Sequence, residues 1–272
     1  MFGTYLTQVK KTSPLIHNIT NYVTVNDCAN VLLACGASPI MADELLEVVE
    51  ITSICGGLNL NIGTLNERTI ASMFEAGKTA KSLAHPIVLD PVGAGASSLR
   101  TKTATDLLLN VRPNVVRGNI SEIKALLLQT NSTSGVDANV ADVVTDSNLE
   151  EAVVFAKSFA SSFNCIVAIT GAIDIVADST KAYVVRNGHS KMAKITGTGC
   201  MLSAMTCAFM VANPTQMLES VAASVSLMGL AGEKAYALSE QSGTSSMRMH
   251  LIDTISTMTE EALNEGARYE VR

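Results

Sequence analysis

The sequence predicts an α/β fold with a mainly parallel central sheet and helices on both of its faces. Short apolar segments alternate with longer segments of helical periodicity along most of the chain. This alternation is typical of parallel strands joined by crossover helices. With 272 residues, 47% hydrophobic and 16% charged, the chain can bury the large core that such a fold needs. We therefore expect one domain over residues 1–272.

Glycine and short polar residues separate the elements in the first part of the chain. The predicted helix at 24–35 ends at Gly36, because glycine adopts the left-handed conformation that closes many helices. The apolar run at 38–41 has the length of a strand, and Asp43 favours helix N-termini, so we expect the next helix to begin there. A strand at 58–62 and a helix ending near residue 84 follow.

The same alternation continues through the middle of the chain, where apolar runs mark strands and serines stand before helical patterns. In order, the predicted elements are a strand at 87–90, a helix after Ser97, a strand at 115–117, a helix from Ser121, a helix at 149–163 and a strand at 166–170. The polar residues 129–148 predict an exposed, turn-rich insertion.

From Asp174 to Lys194 the pattern changes to short strands. The dipeptides Asp178-Ser179 and Asn187-Gly188 interrupt them, and such turn signals predict a small antiparallel edge to the sheet. The remaining chain is predicted to be largely helical.

Composition argues against several classes of binding partner. The net charge is −6, and no cluster of Lys and Arg could neutralise a row of phosphates, so we expect no nucleic acid. No apolar run is long enough for a bilayer and the N-terminus does not resemble a secretory signal, so we expect a cytoplasmic protein without membrane contact. The six cysteines form no C-x-x-C pair, which favours buried thiols in a reducing compartment.

The segment Ile195-Thr-Gly-Thr-Gly-Cys200 stands directly before an apolar helical stretch. Its glycines let backbone N–H groups converge, and a helix N-terminus adds partial positive charge, so the segment suits a phosphate. A thiol at that place is easier to ionise and could act as a base. The alternative is that these residues only form a turn and cap the helix, because glycine turns and threonine caps are common before helices.

Charged residues stand where predicted parallel strands end, and ligands of open α/β sheets bind at those ends. Asp90 could hold Mg²⁺ against phosphate oxygens, or it could cap the turn before Pro91. Arg117 offers a cation for phosphate. Glu122 could be a second carboxylate for Mg²⁺, or it could simply match the positive end of a helix dipole. The Thr170 hydroxyl could bond a phosphate or cap a turn.

A polar group at His17–Asn21 and an apolar strand end at Pro39–Ala42 could together orient and enclose a small polar ring. For His17 alone, the local sequence favours a hydrogen-bonded turn histidine over a catalytic one.

These segments together resemble the hydroxyethylthiazole kinases of the ribokinase-like superfamily. The match runs from residue 17 to about residue 253, and four blocks carry it, at 17–21, 89–95, 117–122 and 195–202. The resemblance implies a three-layer α/β/α sandwich without a separate lid domain. It also implies transfer of a phosphoryl group from ATP to the primary hydroxyl of 4-methyl-5-(2-hydroxyethyl)thiazole, with Mg²⁺, in a homotrimer whose sites lie near subunit interfaces.

The resemblance also implies roles for individual residues. Cys200 would be catalytic, at a position where many related kinases carry Asp. The implied binding residues are Met41, Gly197 and Asn21 for the thiazole, Arg117, Thr170 and Gly199 for ATP, and Asp90 and Glu122 for the metal.

Other functions on the same fold remain as alternatives. A kinase of pyridoxal or of a pyrimidine alcohol, and an ATP-dependent hydro-lyase that repairs hydrated nicotinamide cofactors, would both be expected to carry Asp where this chain has Cys200. A non-catalytic thiazole or nucleotide sensor requires an idle thiol. A redox role for Cys200 is a weaker hypothesis, because no resolving cysteine is near it in sequence.

Overall fold

The computed structural model describes residues 1–130 and 143–272, and its strands form one nine-stranded sheet. In chain order the strands are β1 (Leu15–Ile19), β2 (Ser38–Met41), β3 (Gly57–Asn61), β4 (Ile87–Asp90), β5 (Val115–Gly118), β6 (Ile166–Ile169), β7 (Asp174–Ala177), β8 (Ala182–Val185) and β9 (Tyr269–Val271). Their spatial order is β2-β1-β3-β4-β5-β6-β7-β8-β9.

Helices connect these strands. The α-helices of the described residues are α1 (Gly3–Thr12), α2 (Val25–Cys35), α3 (Val48–Ile54), α4 (Glu67–Ser82), α5 (Ser98–Asn110), α6 (Ile120–Gln129), α7 (Leu149–Phe163), α8 (Thr198–Ala212), α9 (Met217–Leu238), α10 (Thr244–Thr257) and α11 (Glu260–Gly266). Two short 3₁₀ helices lie at Asp146–Asn148 and Ser190–Lys194.

The sheet is parallel from β2 through β6 and antiparallel from β6 through β9. Its two faces carry separate hydrophobic cores, because successive side chains of a strand point to opposite sides. On β4, Val88 joins the core with α1, α2, α8, α9 and α10, whereas Ile87 and Leu89 join the core with α4 to α7. The predicted α/β/α architecture with an antiparallel edge is therefore confirmed.

Several predicted boundaries are confirmed and one is wrong. The strands at Ser38–Met41 and Ile87–Asp90 and the helix at Leu149–Phe163 have the predicted ends. Asp43, by contrast, does not begin a helix, since α3 starts at Val48. Tertiary hydrogen bonds hold the preceding segment out of a helix: the Ser72 hydroxyl donates to the Asp43 carbonyl oxygen at 2.8 Å.

Four elements described in the structure were not predicted. Helix α1 and strand β1 precede the first predicted helix, and β1 is hard to recognise because its apolar residues flank His17 and Asn18. The segment after Asn187 forms a 3₁₀ helix instead of a strand. The C-terminal β9 completes the antiparallel edge by pairing with β8. Residues 131–142 of the predicted insertion at 129–148 lie outside the described residues.

Over the described ranges, the model contains no helix that is both long and apolar enough to cross a membrane.

Helix α8 lies close against the sheet, and a glycine permits the approach. A Cβ on Gly57, the first residue of β3, would lie 2.5 Å from Val211 Cγ2 and 2.9 Å from Cys207 Sγ. Both partners belong to α8 and Cys207 is fully buried, so little space is available for relaxation.

We therefore expect Gly57→Ala to lower the free energy of unfolding by about 1–3 kcal/mol, the usual cost of overpacking a core. Chemical denaturation of the full chain measures it. The control is Gly243→Ser, because a Cβ there would meet nothing within 4 Å and serine suits the N-cap position that Gly243 occupies. Equal stability of the two variants would contradict the close approach of α8.

Candidate active site

A cleft of about 800 Å³ lies where the parallel strands end and α8 begins. Arg117 near the end of β5, Thr170 just after β6 and Gly199 at the start of α8 all line it. The three residues expected to bind ATP are thus brought to one cleft. Its opposite wall contains apolar side chains, including Leu202, Val225 and Met228.

The start of α8 depends on two glycines. Gly197 is the N-cap with φ of +90°, a conformation that L side chains rarely adopt, and a Cβ there would lie 2.5 Å from Thr24 Cγ2. At Gly199 a Cβ would lie 2.5 Å from Arg117 Nη1, so only glycine lets the guanidinium lie against the first helical turn. The free N–H groups of that turn and the cation therefore lie together beside the cleft.

Arg117 is a mostly buried cation with two partners in the site. Its Nη2 donates to Thr170 Oγ1 at 2.6 Å, and its Nη1 lies 3.5 Å from Asp90 Oδ2. The Thr170 hydroxyl thus accepts from a cation and can donate its own proton to an anion in the cleft. Arg117 Nε is buried without a hydrogen-bond partner.

Asp90, the last residue of β4, is fully buried (0% exposed). Its Oδ2 accepts from Asn61 Nδ2 and from Ser203 Oγ, each at 2.8 Å, whereas Oδ1 has no hydrogen-bond partner. Burial raises the pKa of the Asp90 carboxyl, while Arg117 and these two donors lower it. Its hydrogen bonds therefore cross to other elements instead of capping the turn at Pro91.

Glu122 is the acidic residue of a capping box at the start of α6. Its Oε2 accepts from the Asn119 N–H at 2.8 Å, and the Asn119 side chain accepts in return from the Glu122 N–H. The other oxygen, Oε1, accepts from the Gly93 N–H at 2.8 Å. The predicted match to a helix N-terminus is confirmed, and the same carboxylate also fixes the glycine loop after Asp90. Its charge lies close enough to raise the pKa of Asp90.

Cys200 lies in the first turn of α8, and it is partly exposed, whereas the other five cysteines are buried as expected. Its Sγ accepts a hydrogen bond from Asn21 Nδ2 at 3.2 Å. Gly199, its neighbour in the chain, lines the large cleft, while Thr20 and Tyr22, the neighbours of Asn21, line a second one. The thiol itself lines neither cleft, but through these residues it is adjacent to both.

The second cleft has a volume of about 180 Å³. Met41 at the end of β2 lines it together with Asn18 and Asn66, so the lining contains both apolar and amide groups. Gly197 and Asn21 are not part of its lining; they contact Thr24 and Cys200 instead.

His17 supports this cleft from behind. It is fully buried, its Nε2 lies 2.9 Å from the Ala42 carbonyl oxygen and its Nδ1 lies 2.9 Å from Thr52 Oγ1. Burial lowers the pKa of this imidazole. The histidine is hydrogen-bonded at both nitrogens, as the local sequence favours, although it lies in a strand and not in a turn.

Asp174 is a residue of the large cleft that the sequence analysis did not single out as a site residue. Its Oδ1 accepts from the Gly171 N–H at 2.8 Å and so holds the turn that follows Thr170. Burial raises the pKa of the Asp174 carboxyl to about 7. Its position, four residues after Thr170 and at the start of a short strand, was the available signal.

Comparison with known proteins identifies the family. A family model described as the hydroxyethylthiazole kinase family matches residues 6–261. A hydroxyethylthiazole kinase of Clostridium acetobutylicum is 60% identical over 266 residues, which are 97% of this chain and 97% of that protein.

Solved structures give the same result. The structure of a hydroxyethylthiazole kinase protein from Pyrococcus horikoshii OT3 has a TM-score of 0.89 at 36% identity, over 100% of this chain and 98% of that one. An ADP complex of Bacillus subtilis pyridoxal kinase has a TM-score of 0.60 at 17% identity, over 81% and 91%, which is a likeness of fold alone. On the family match and the identity to its relatives, the chain belongs to the hydroxyethylthiazole kinase family.

Proposed function

We propose that this protein transfers the γ-phosphoryl group of ATP to the hydroxyl of 4-methyl-5-(2-hydroxyethyl)thiazole, giving the phosphate monoester and ADP in thiamine salvage. The observation that carries the proposal is the hydrogen bond from Asn21 to Cys200, because the chain neighbour Gly199 of Cys200 lines a large cationic cleft and the chain neighbours of Asn21 line a small mixed cleft. Two substrates of unequal size would meet at this thiol.

The large cleft suits ATP. Arg117, the Thr170 hydroxyl and the N–H groups at Gly199 would hold phosphates, because a cation and a helix N-terminus both attract anions. The apolar wall of Leu202, Val225 and Met228 would contact the base.

The small cleft suits the thiazole, with Met41 against the ring. The assignment of Gly197 and Asn21 to the thiazole stays a prediction: neither residue lines this cleft, but Asn21 contacts Cys200 and its chain neighbours Thr20 and Tyr22 line the cleft.

Cys200 would act as the base. The thiolate would take the proton of the substrate hydroxyl, the oxygen would form a bond to the γ-phosphorus, and the bond from that phosphorus to the ADP oxygen would break. Phosphoryl transfer depends mainly on positioning and on neutralisation of charge, so a weak base suffices.

Mg²⁺ fits the carboxylates of the site. Carboxylate oxygens are the ligands that Mg²⁺ prefers, and Asp90 Oδ1 is buried without a hydrogen-bond partner. The described residues contain no group of three or more His, Cys, Asp or Glu side chains that could hold a metal, which fits an ion held by one or two carboxylates and by substrate phosphates. Asp90 and Glu122 would hold the ion, which would neutralise charge on the phosphates.

The remaining proposals concern assembly and location. We propose a cytoplasmic single-domain kinase that forms a homotrimer. Exposed apolar side chains beside the small cleft support the assembly: Tyr22 is 78% and Leu46 is 90% exposed, and a neighbouring subunit would cover them.

Release of ADP tests the function. With MgATP and hydroxyethylthiazole we expect ADP and a product heavier by one phosphate, with pyridoxal, a pyrimidine alcohol, a hydrated nicotinamide cofactor and no acceptor as comparisons. Faster turnover of another acceptor would reject the thiazole assignment. Thiazole binding without ADP release would indicate a sensor.

The role of Cys200 is tested by Cys200→Asp and Cys200→Ser. We expect the Asp variant to retain or exceed the wild-type kcat, because its carboxylate can accept both the Asn21 N–H and the substrate proton. The nearly isosteric serine is a poor base, so its kcat should fall by about 10². An inactive Asp variant together with an active Ser variant would reject the base assignment.

The metal assignment is tested by Asp90→Asn. Asparagine has the same size and can still accept from Asn61 and Ser203, so the fold should survive. We expect kcat at saturating MgATP to fall by about 10² to 10³, with little change in the KM for thiazole. The control is Asp106→Asn, an exposed carboxylate paired with Lys102. Equal loss of turnover and thiazole affinity would count against the assignment.

A further inference from the structure

We propose that Asn61 is a positioning residue for two groups of the site. It hydrogen-bonds the carboxylate of Asp90 directly, and it acts on the thiol of Cys200 through Asn21. This inference rests on the proposed function, since it concerns the same reaction. Asn61 is 1% exposed and lies behind Cys200 and Asp90, with its amide bonded to Asn21, Gly63 and Asp90, so we assign it a positioning role and no contact with substrate.

The placement of Asn61 follows from the sheet. It is the last residue of β3 and the register partner of Asp90 at the end of β4, so the two side chains project from neighbouring strands at the same level. Asn61 is 1% exposed, and both ends of its amide are used. Its Nδ2 donates to Asp90 Oδ2 at 2.8 Å, while its Oδ1 accepts from Asn21 Nδ2 at 3.0 Å and from the Gly63 N–H at 2.9 Å.

The bond to Asn21 determines which group faces the sulfur. Asn21 Oδ1 accepts from the Thr24 N–H and from Thr24 Oγ1, both at 3.1 Å, so the Asn21 amide cannot flip without losing two bonds. Asn21 Nδ2 has two hydrogens, and it donates to Asn61 Oδ1 and to Cys200 Sγ. Together with Thr24, Asn61 therefore holds the Asn21 amide in the orientation that directs an N–H to the sulfur, and a donor in that position stabilises a negatively charged acceptor.

The bond to Asp90 determines which carboxylate oxygen stays free. Asn61 and Ser203 both donate to Oδ2, and Oδ1 is left without a partner. Without Asn61 the carboxylate could rotate, and the unpartnered oxygen would lose its fixed direction. The same amide thus sets the geometry at the thiol, where the acceptor hydroxyl would lie, and at the carboxylate, where the phosphates of ATP would lie.

Alkylation of Cys200 tests this role without any substrate. Iodoacetamide should modify the full-length protein at Cys200, because the other five cysteines are buried, and Cys200→Ser serves to verify the site. Nearby Cys28 stays neutral, since burial raises its pKa to about 12. We expect Asn61→Ala to slow alkylation at neutral pH by about 3- to 10-fold, the equivalent of one net hydrogen bond.

The matched control is Asn59→Ala. Asn59 is a fully buried asparagine two residues earlier on β3, and it donates to Asn18 and not to Asn21, Cys200 or Asp90. Its loss should leave the alkylation rate unchanged. A variant that merely loosens the fold would alkylate faster, which is the opposite sign. An unchanged or faster rate in Asn61→Ala would therefore overturn the proposal, and Asn61→Ser replaces that variant if it does not fold.

Two further measurements separate positioning from packing. Because Asn61 acts on the thiol through Asn21, the double variant Asn21→Ala/Asn61→Ala should alkylate at the rate of Asn21→Ala alone; additive effects would overturn the proposal. In turnover, Asn61→Ala should lower kcat by about 10-fold or more at nearly constant KM for both substrates. A wild-type protein without thiazole turnover would reject the proposed function and leave the alkylation result standing.

Discussion

The burial of one carboxylate governs the arrangement of the site. Asp90 ends a central strand with no exposure to water, and an unpaired charge there would cost several kcal/mol. Asn61, Ser203 and Arg117 compensate that charge, and they come from β3, α8 and β5. Three elements are therefore held in register by a single buried group, and the strand ends cannot shift independently of the helix that closes the site.

The second constraint is the closeness of α8 to its neighbours. Gly57 lets the helix approach the sheet, and Gly197 and Gly199 let its first turn approach Thr24 and Arg117. Each approach excludes a side chain at that point, so the first turn presents backbone N–H groups beside a cation. Cys200 belongs to the same turn, so backbone N–H groups, a cation and a thiol lie together at one helix start.

Sequence reasoning could place much of this site because the carboxyl ends of parallel strands meet at one edge. Asp90, Arg117 and Thr170 were recognisable as polar residues that follow apolar runs, and the structure brings them into one group. Strand β1 was not recognisable, because His17 and Asn18 interrupt its apolar residues and their partners lie in other elements. Asn61 was missed for a related reason: an asparagine at the end of a strand usually indicates a turn, and its role depends on the register with β4.

The amides of Asn21 and Asn61 connect Cys200 with Asp90, and amides have a physical advantage over charged groups in this place. An amide that is fully hydrogen-bonded can be buried at modest cost, and it offers a donor at one end and an acceptor at the other. Negative charge on Asp90 polarises the Asn61 amide and makes Oδ1 a stronger acceptor for Asn21. The charge of the Asp90 carboxylate is thereby coupled through Asn61 to the Asn21 amide that faces the sulfur. An apolar residue of similar volume at Asn61 would fill the same space but would leave Asp90 and Asn21 each without one hydrogen bond.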